Sequence, residues 1–217
     1  MIPSAELRKF GWNKYKAAPI FVRALQALRP YICPIDEVLT LVPAGSSVLD
    51  VGCGTGGLLF QIAQFKGLAS GIGIDTQDAS IIVANSVAQE TQRQEIRFHC
   101  LKSTAEWPAG PFDVVSVIDV LHHIPLAQQD TFLEACVQRV RPGGLFVYKD
   151  MAETPPFFAL WNRAHDLILA RQWIHYYPFA QACNVVTRAG FDVLQRKSIR
   201  RLVYQHELLV ARRSTSV

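Results

Sequence analysis

The decapeptide Val48–Gly57, VLDVGCGTGG, leaves this chain few folds to choose from. Apolar and β-branched residues lead into Asp50, and four glycines follow at Gly52, Gly54, Gly56 and Gly57. A strand that runs into such a loop can turn sharply. It also admits a ligand where a β-carbon would stand in the way. Further on, a second strand, GIGID, ends in Asp75. Two successive strand ends that offer a glycine loop and a carboxylate suit an adenosine-containing ligand at the edge of a parallel sheet. Gly52, Gly54 and Gly57 also satisfy Gly-x-Gly-x-x-Gly, so this pattern alone leaves a dinucleotide open. Asp50, two residues before the first glycine, and Gly56, which gives the tighter Gly-x-Gly-x-Gly, weigh against it.

The chain has 217 residues, half of them hydrophobic, enough for one α/β domain with a buried core. No apolar run is long enough for a transmembrane helix, and the first residues lack the apolar core of a secretory signal. The five cysteines (Cys33, Cys53, Cys100, Cys136, Cys183) form no Cys-x-x-Cys pair, so no metal site is expected and a reduced, cytoplasmic chain is. Cys53, inside the glycine loop, reads as a small filler rather than a nucleophile.

The residues before the first strand predict a helix over Phe21–Leu28 and another around Ile35–Val42, separated by Pro30 and Pro34. Elements then alternate. Strands are predicted at Ser47–Val51, Ser70–Ile74, Ile96–Leu101, Phe112–Ile118 and Leu145–Lys149. Helices are predicted at Gly57–Phe65, Asp78–Gln89 (apolar positions Ile81, Ile82, Val87, Ala88) and Gln128–Val140. Such alternation implies a parallel sheet with helices on both faces. Phe191–Lys197 and Tyr204–Arg212 are consecutive strands and should pair as an antiparallel hairpin. Pro178 should start a last helix. The expected organisation is one domain over 1–217: a helical cap (1–45), a cofactor-binding half (46–150) and an acceptor-side half with the hairpin (151–217).

VLDVGCGTG, GIGID, FDVVSVIDVLHHIP and VRPGGLFVYKD, in this order, resemble the motifs of the class I S-adenosylmethionine-dependent methyltransferases. The resemblance covers roughly residues 45–212. It implies a Rossmann-like, seven-stranded α/β sheet with helices on both faces, its seventh strand inserted antiparallel between the fifth and the sixth. It implies S-adenosyl-L-methionine as cofactor. The backbone of Gly52, Cys53 and Gly54, with Gly56, would pass its methionine part near Asp50. Asp75 would accept both ribose hydroxyls, and Thr76 and Gln77 would border the adenine. Where many relatives carry an adenine-binding Asp, this chain has Ser103 or Thr104. Asp119, Val120 and His122 would lie beneath the transferred methyl.

Methyl transfer requires donor and acceptor to be held close and in line, and a phenol acceptor gains from a base. Imidazole is the natural choice near neutral pH. His175, in the run WIHYYP, and then His122 are the candidate bases. His99 and His206 lie in strand patterns and read as structural. Trp12, Tyr15, Phe157, Trp161, Trp173 and Tyr176 are candidates to line an acceptor pocket. The segment from Lys149 to Pro178 also resembles methyltransferases of bacterial aryl-polyene and aromatic polyketide pathways, which implies secondary-metabolite biosynthesis.

The acceptor would then be a small phenolic or lipid- or polyketide-like molecule, methylated at oxygen or ring carbon. A carrier-bound acceptor would give the basic residues Arg196, Lys197, Arg200, Arg201, Arg212 and Arg213 an acidic partner, such as an acyl carrier protein; an anionic membrane surface is the other candidate. A tRNA or other nucleic-acid methyltransferase is disfavoured, because IDVLHHIP lacks the Asn/Asp-Pro-Pro-aromatic motif of amino-directed base methylation. A binding module that has lost turnover is the third alternative.

Overall fold

A computed structural model describes residues 1–152 and 176–215. Seven strands take the order β3-β2-β1-β4-β5-β7-β6, a mixed sheet whose seventh strand stands between the fifth and sixth. The chain divides into two compact units, Met1–Pro108 and Ala109–Val217.

The first unit opens with three helices, α1 (Ser4–Lys14), α2 (Ile20–Ile32) and α3 (Ile35–Leu41). The sequence predicts no helix at α1, because its stripe is thin: only Leu7 and Gly11 are buried within it, with Tyr15 just beyond its end. Gly11 is required by packing, since a β-carbon there would stand 2.7 Å from the Gln26 carbonyl oxygen. Pro30 was expected to end the second helix, but α2 runs through it to Ile32. A proline deprives the carbonyl four residues back of its donor, a loss most easily borne near a helix end.

Strand β1 (Ser46–Val51) pairs in parallel with β2 (Leu68–Asp75), which pairs in parallel with β3 (Ile96–Cys100). The near-continuous burial of β1 is that of a strand covered on both faces. Helix α4 (Gly57–Phe65) follows β1, with Gly57 to Ala63 all buried, as its apolar sequence demands. In α5 (Asp78–Glu90) the buried stripe is Ile81, Ala84, Val87 and Ala88. Ile82, predicted to lie on it, is 68 % exposed, one step around the helix from the buried face. On β3, Ile96 and Phe98 are buried while Arg97 and His99 face solvent.

The second unit contains β4 (Phe112–Ile118), α6 (Leu126–Val137), β5 (Val140–Met151), α7 (Phe179–Arg188), β6 (Phe191–Arg201) and β7 (Tyr204–Arg213). Strands β4 and β5 are parallel, while β7 runs antiparallel to both β5 and β6. The predicted sixth helix extends too far: Val140 belongs to β5, which takes in the whole VRPGG turn. Register shows the cause, as Phe112 pairs with Val140 and Val114 with Leu145, so the turn is a bulge within the strand. The basic residues of β6 lie on a terminal strand of the sheet order, where charge discourages pairing with another chain.

One position tests how tightly this framework closes. Gly56 sits at φ +84°, and a β-carbon on it would lie 2.4 Å from the Phe98 ring. Gly56→Ala therefore combines a left-handed alanine with overpacking. It is expected to lower stability in urea unfolding by about 2–5 kcal/mol. An unchanged midpoint would contradict this packing.

Candidate functional site

The glycine loop is held by the end of β2. Gly52 and Cys53 donate their backbone N–H groups to the Ile74 carbonyl at 2.8 and 3.0 Å. Gly54 donates to Oδ2 of Asp75 at 2.8 Å, and Gln77 donates to Oδ1 at 2.9 Å. The glycines then serve two ends. Gly56 makes room for Phe98, whereas Gly54, at φ +55°, has nothing within 4 Å of where its β-carbon would stand. Gly54 thus presents bare backbone to open space beside a carboxylate. Each Asp75 oxygen accepts one N–H and keeps lone-pair capacity for a second donor. Two such oxygens match a vicinal diol, so the residues fit the ribose of the expected cofactor.

Asp50 is buried on β1 at 3 % exposure. Cys53 is buried too; burial pushes its thiol well up, and Asp50 and Asp75 push it the same way. A thiol so raised is a poor nucleophile, as its role as filler requires. Thr76 is exposed, and its carbonyl accepts from Cys100 Sγ at 3.5 Å. Ser103 caps a 3₁₀ turn over Thr104–Glu106: its Oγ accepts from Ala105 N–H at 3.3 Å, and Glu106 accepts from Ser103 N–H at 3.1 Å. Ser103 and Thr104 are both exposed.

Of the aromatic candidates, Trp12 is 41 % exposed and carries the Arg23 guanidinium 4.0 Å from its ring centroid. Tyr15 is fully buried: its ring meets Phe60 edge-on at 6.0 Å and its hydroxyl donates to the Thr55 carbonyl at 2.7 Å. That hydroxyl is committed to the loop, a role that sequence reasoning did not foresee. Tyr176 is buried against Met151. Phe157, Trp161, Trp173 and His175 lie outside the described residues.

In the second unit, polar groups gather at the ends of β4 and β5. Asp119, at φ +59°, accepts from Lys149 Nζ at 2.5 Å, and the lysine is wholly buried. His122, 1 % exposed, pairs through Nδ1 with Oδ1 of Asp150, while its backbone N–H donates to Oδ2 at 3.2 Å. Asp150 also accepts from Met151 N–H at 2.7 Å. Lys149 and Asp150 were not singled out as functional from sequence; two charges ending an apolar strand, YKD, were the available signal. His206 is buried on β7, and His99 is exposed on β3.

Among known proteins, residues 23–196 match the family model described as a methyltransferase domain. The chain belongs to the S-adenosylmethionine-dependent methyltransferases. It is similar to the ubiquinone biosynthesis O-methyltransferase of Dechloromonas aromatica, at 33 % identity over 80 % of this chain and 75 % of that one. A protein of the same name from Xanthomonas axonopodis is 27 % identical over 93 % of this chain and 84 % of its own length. Among solved structures, magnesium protoporphyrin IX methyltransferase (ChlM) from Synechocystis, with bound SAH, shares the fold. Its TM-score is 0.70 at 19 % identity, with 96 % of both chains covered. In this methyltransferase, the glycine loop and Asp75 are the candidate residues to hold S-adenosylmethionine. No described helix is long and apolar enough to cross a membrane.

The Asp150 cluster gives a stability test. Asp150→Ala removes the acceptor of two backbone N–H groups and of the His122 ring in a buried place. The expected cost in urea unfolding is about 3 kcal/mol or more. A loss below about 1 kcal/mol would show that these bonds are replaced.

Proposed function

We propose that this methyltransferase places the methyl group on an oxygen of a small, phenol-type aromatic acceptor. The paired N–H contacts on Asp75, which leave each carboxylate oxygen able to take one more donor, carry the cofactor half of this reading. The acceptor half draws on the O-methyltransferase relatives, to which most of the chain aligns.

When bound, S-adenosylmethionine supplies an electrophilic methyl on a sulfonium centre. The chain's own tasks are to hold the nucleoside, fix the methionine end, seat the acceptor and take its proton. Asp75 would bind the ribose diol, and the backbone of Gly52 to Gly54 would hold the methionine part. Proton removal falls to an imidazole, since a phenol with an ordinary pKa near 10 is mostly neutral at physiological pH. His122 has its Nδ1 on the Asp150 carboxylate, which favours a tautomer with the lone pair on Nε2. His175 is the second candidate for the same task. The acceptor is taken to be free rather than carrier-bound.

The test is transfer of radiolabelled methyl to a panel of catechols and hydroxybenzoates, with bulk tRNA and a carrier-bound hydroxyaryl thioester as further arms. Label on a phenolic oxygen is the expected result. Label on tRNA alone, on ring carbon, or on the carrier-bound arm alone would overturn the proposal, as would binding without turnover. Asp75→Ala should lower kcat/KM by about 100-fold or more, since two charge-assisted hydrogen bonds are lost. Replacing the true base, tested as His122→Asn and His175→Ala, should cost about 10²–10⁴-fold in kcat while cofactor affinity stays near the wild-type value.

A further inference from the structure

Thr55, at the tip of the glycine loop, is gripped by two residues, one just past α1 and one on α2. Tyr15, just past α1, donates its hydroxyl to the Thr55 carbonyl at 2.7 Å. Gln26, on α2, donates its side-chain amide to Thr55 Oγ1 at 2.8 Å. Both gripping residues are buried, Tyr15 at 0 % and Gln26 at 5 % exposure. An amide buried in a helix is costly unless it bonds, and here its partner is the loop. Two glycines make room for Gln26, Gly11 for its backbone and Gly57 for its amide. At Gly11 a β-carbon would meet the Gln26 backbone oxygen at 2.7 Å, and at Gly57 it would meet Gln26 Oε1 at 2.4 Å. The loop is therefore fixed from both sides. Asp75 and Ile74 hold Gly52 to Gly54 from the strand side, and Tyr15 and Gln26 hold Thr55 from the helix side.

We infer that Tyr15 and Gln26 are positioning residues for cofactor binding, which act through Thr55 by keeping the loop backbone in its ligand-ready shape; this rests on the assignment of that loop to the cofactor. A loop fixed before binding loses less conformational entropy on binding, so the clamp is read out as affinity. The helices that precede β1 then do more than cover the core: they set the donor's affinity.

Gly57 provides a probe that deletes no side chain. An alanine there pushes the Gln26 amide off Thr55, and the backbone accommodates it because its φ is not left-handed. Binding of S-adenosylhomocysteine is measured by calorimetry on Gln26→Ala, Gly57→Ala, the double variant, Tyr15→Phe, Thr55→Val and Thr55→Ser. Amide hydrogen exchange of residues 54–57 is followed on the ligand-free proteins.

Gln26→Ala, Gly57→Ala, Tyr15→Phe and Thr55→Val should each raise Kd about five- to tenfold, the worth of one or two hydrogen bonds. Loop exchange should quicken while β1 and β2 stay protected. In the Gln26→Ala background, Gly57→Ala should cost nothing more, because the group it displaces is gone. Thr55→Ser should stay near wild type. The donor KM should rise more than kcat falls.

Kd within about twofold of wild type for Gln26→Ala, or full additivity in the double variant, overturns the inference. If Gln26→Ala does not fold, Gly57→Ala with Thr55→Val against Thr55→Ser decides in its place. If the wild-type protein itself binds no S-adenosylhomocysteine, the cofactor assignment fails instead. Loop exchange then decides the clamp alone: faster in Gln26→Ala supports it, and unchanged exchange removes it.

Discussion

Three consecutive amides, those of Gly52, Cys53 and Gly54, bond to two consecutive residues, Ile74 and Asp75. This contact converts a floppy glycine run into a defined shape. Backbone N–H groups are obligatory donors, and here the end of β2 receives them in order. Parallel pairing of Val51 with Ile74 brings the two strand ends level, so the register of the sheet fixes the loop. Phe98, on β3, then fills the space that Gly56 and Gly73 leave by lacking side chains.

Asp75 receives N–H donors on both oxygens, so its carboxylate is shaped by the loop it shapes. The polar cluster of the second unit works differently. Lys149 is wholly buried against Asp119, and His122 lies buried against Asp150. Such pairs hold their geometry because breaking one partner strands the other away from water. Under the proposed function, such a fixed partner on Nδ1 is what an imidazole base would need.

How much of this could be read from the chain alone depended on the range of the interaction. Helix α4 and strand β4 fall on their predicted residues, because apolar runs bounded by glycine or proline mark them locally. The hairpin followed from two consecutive strands after an alternating series, whereas its insertion beside β5 followed only from the resemblance to the methyltransferases. Helix α1 was missed because its buried stripe contains a glycine, whose need shows only when Gln26 is brought against it. Leu7, Gly11 and Tyr15, spaced four apart, were the signal available. In the site, Asp75 and the glycines were legible from spacing. The Gln26 and Tyr15 contacts to Thr55 and the Asp150 partner of His122 were not, since they join residues 28 to 40 positions apart.

The claim on which the account stands is that a loop pinned to Asp75 is shaped for one adenosine-containing ligand and not for another. Calorimetric titration of the wild-type protein with S-adenosylhomocysteine and, in parallel, with NAD tests it most directly. The account predicts saturable one-to-one binding of S-adenosylhomocysteine at micromolar concentrations and no heat with NAD. Binding of NAD, or silence with both, would contradict it.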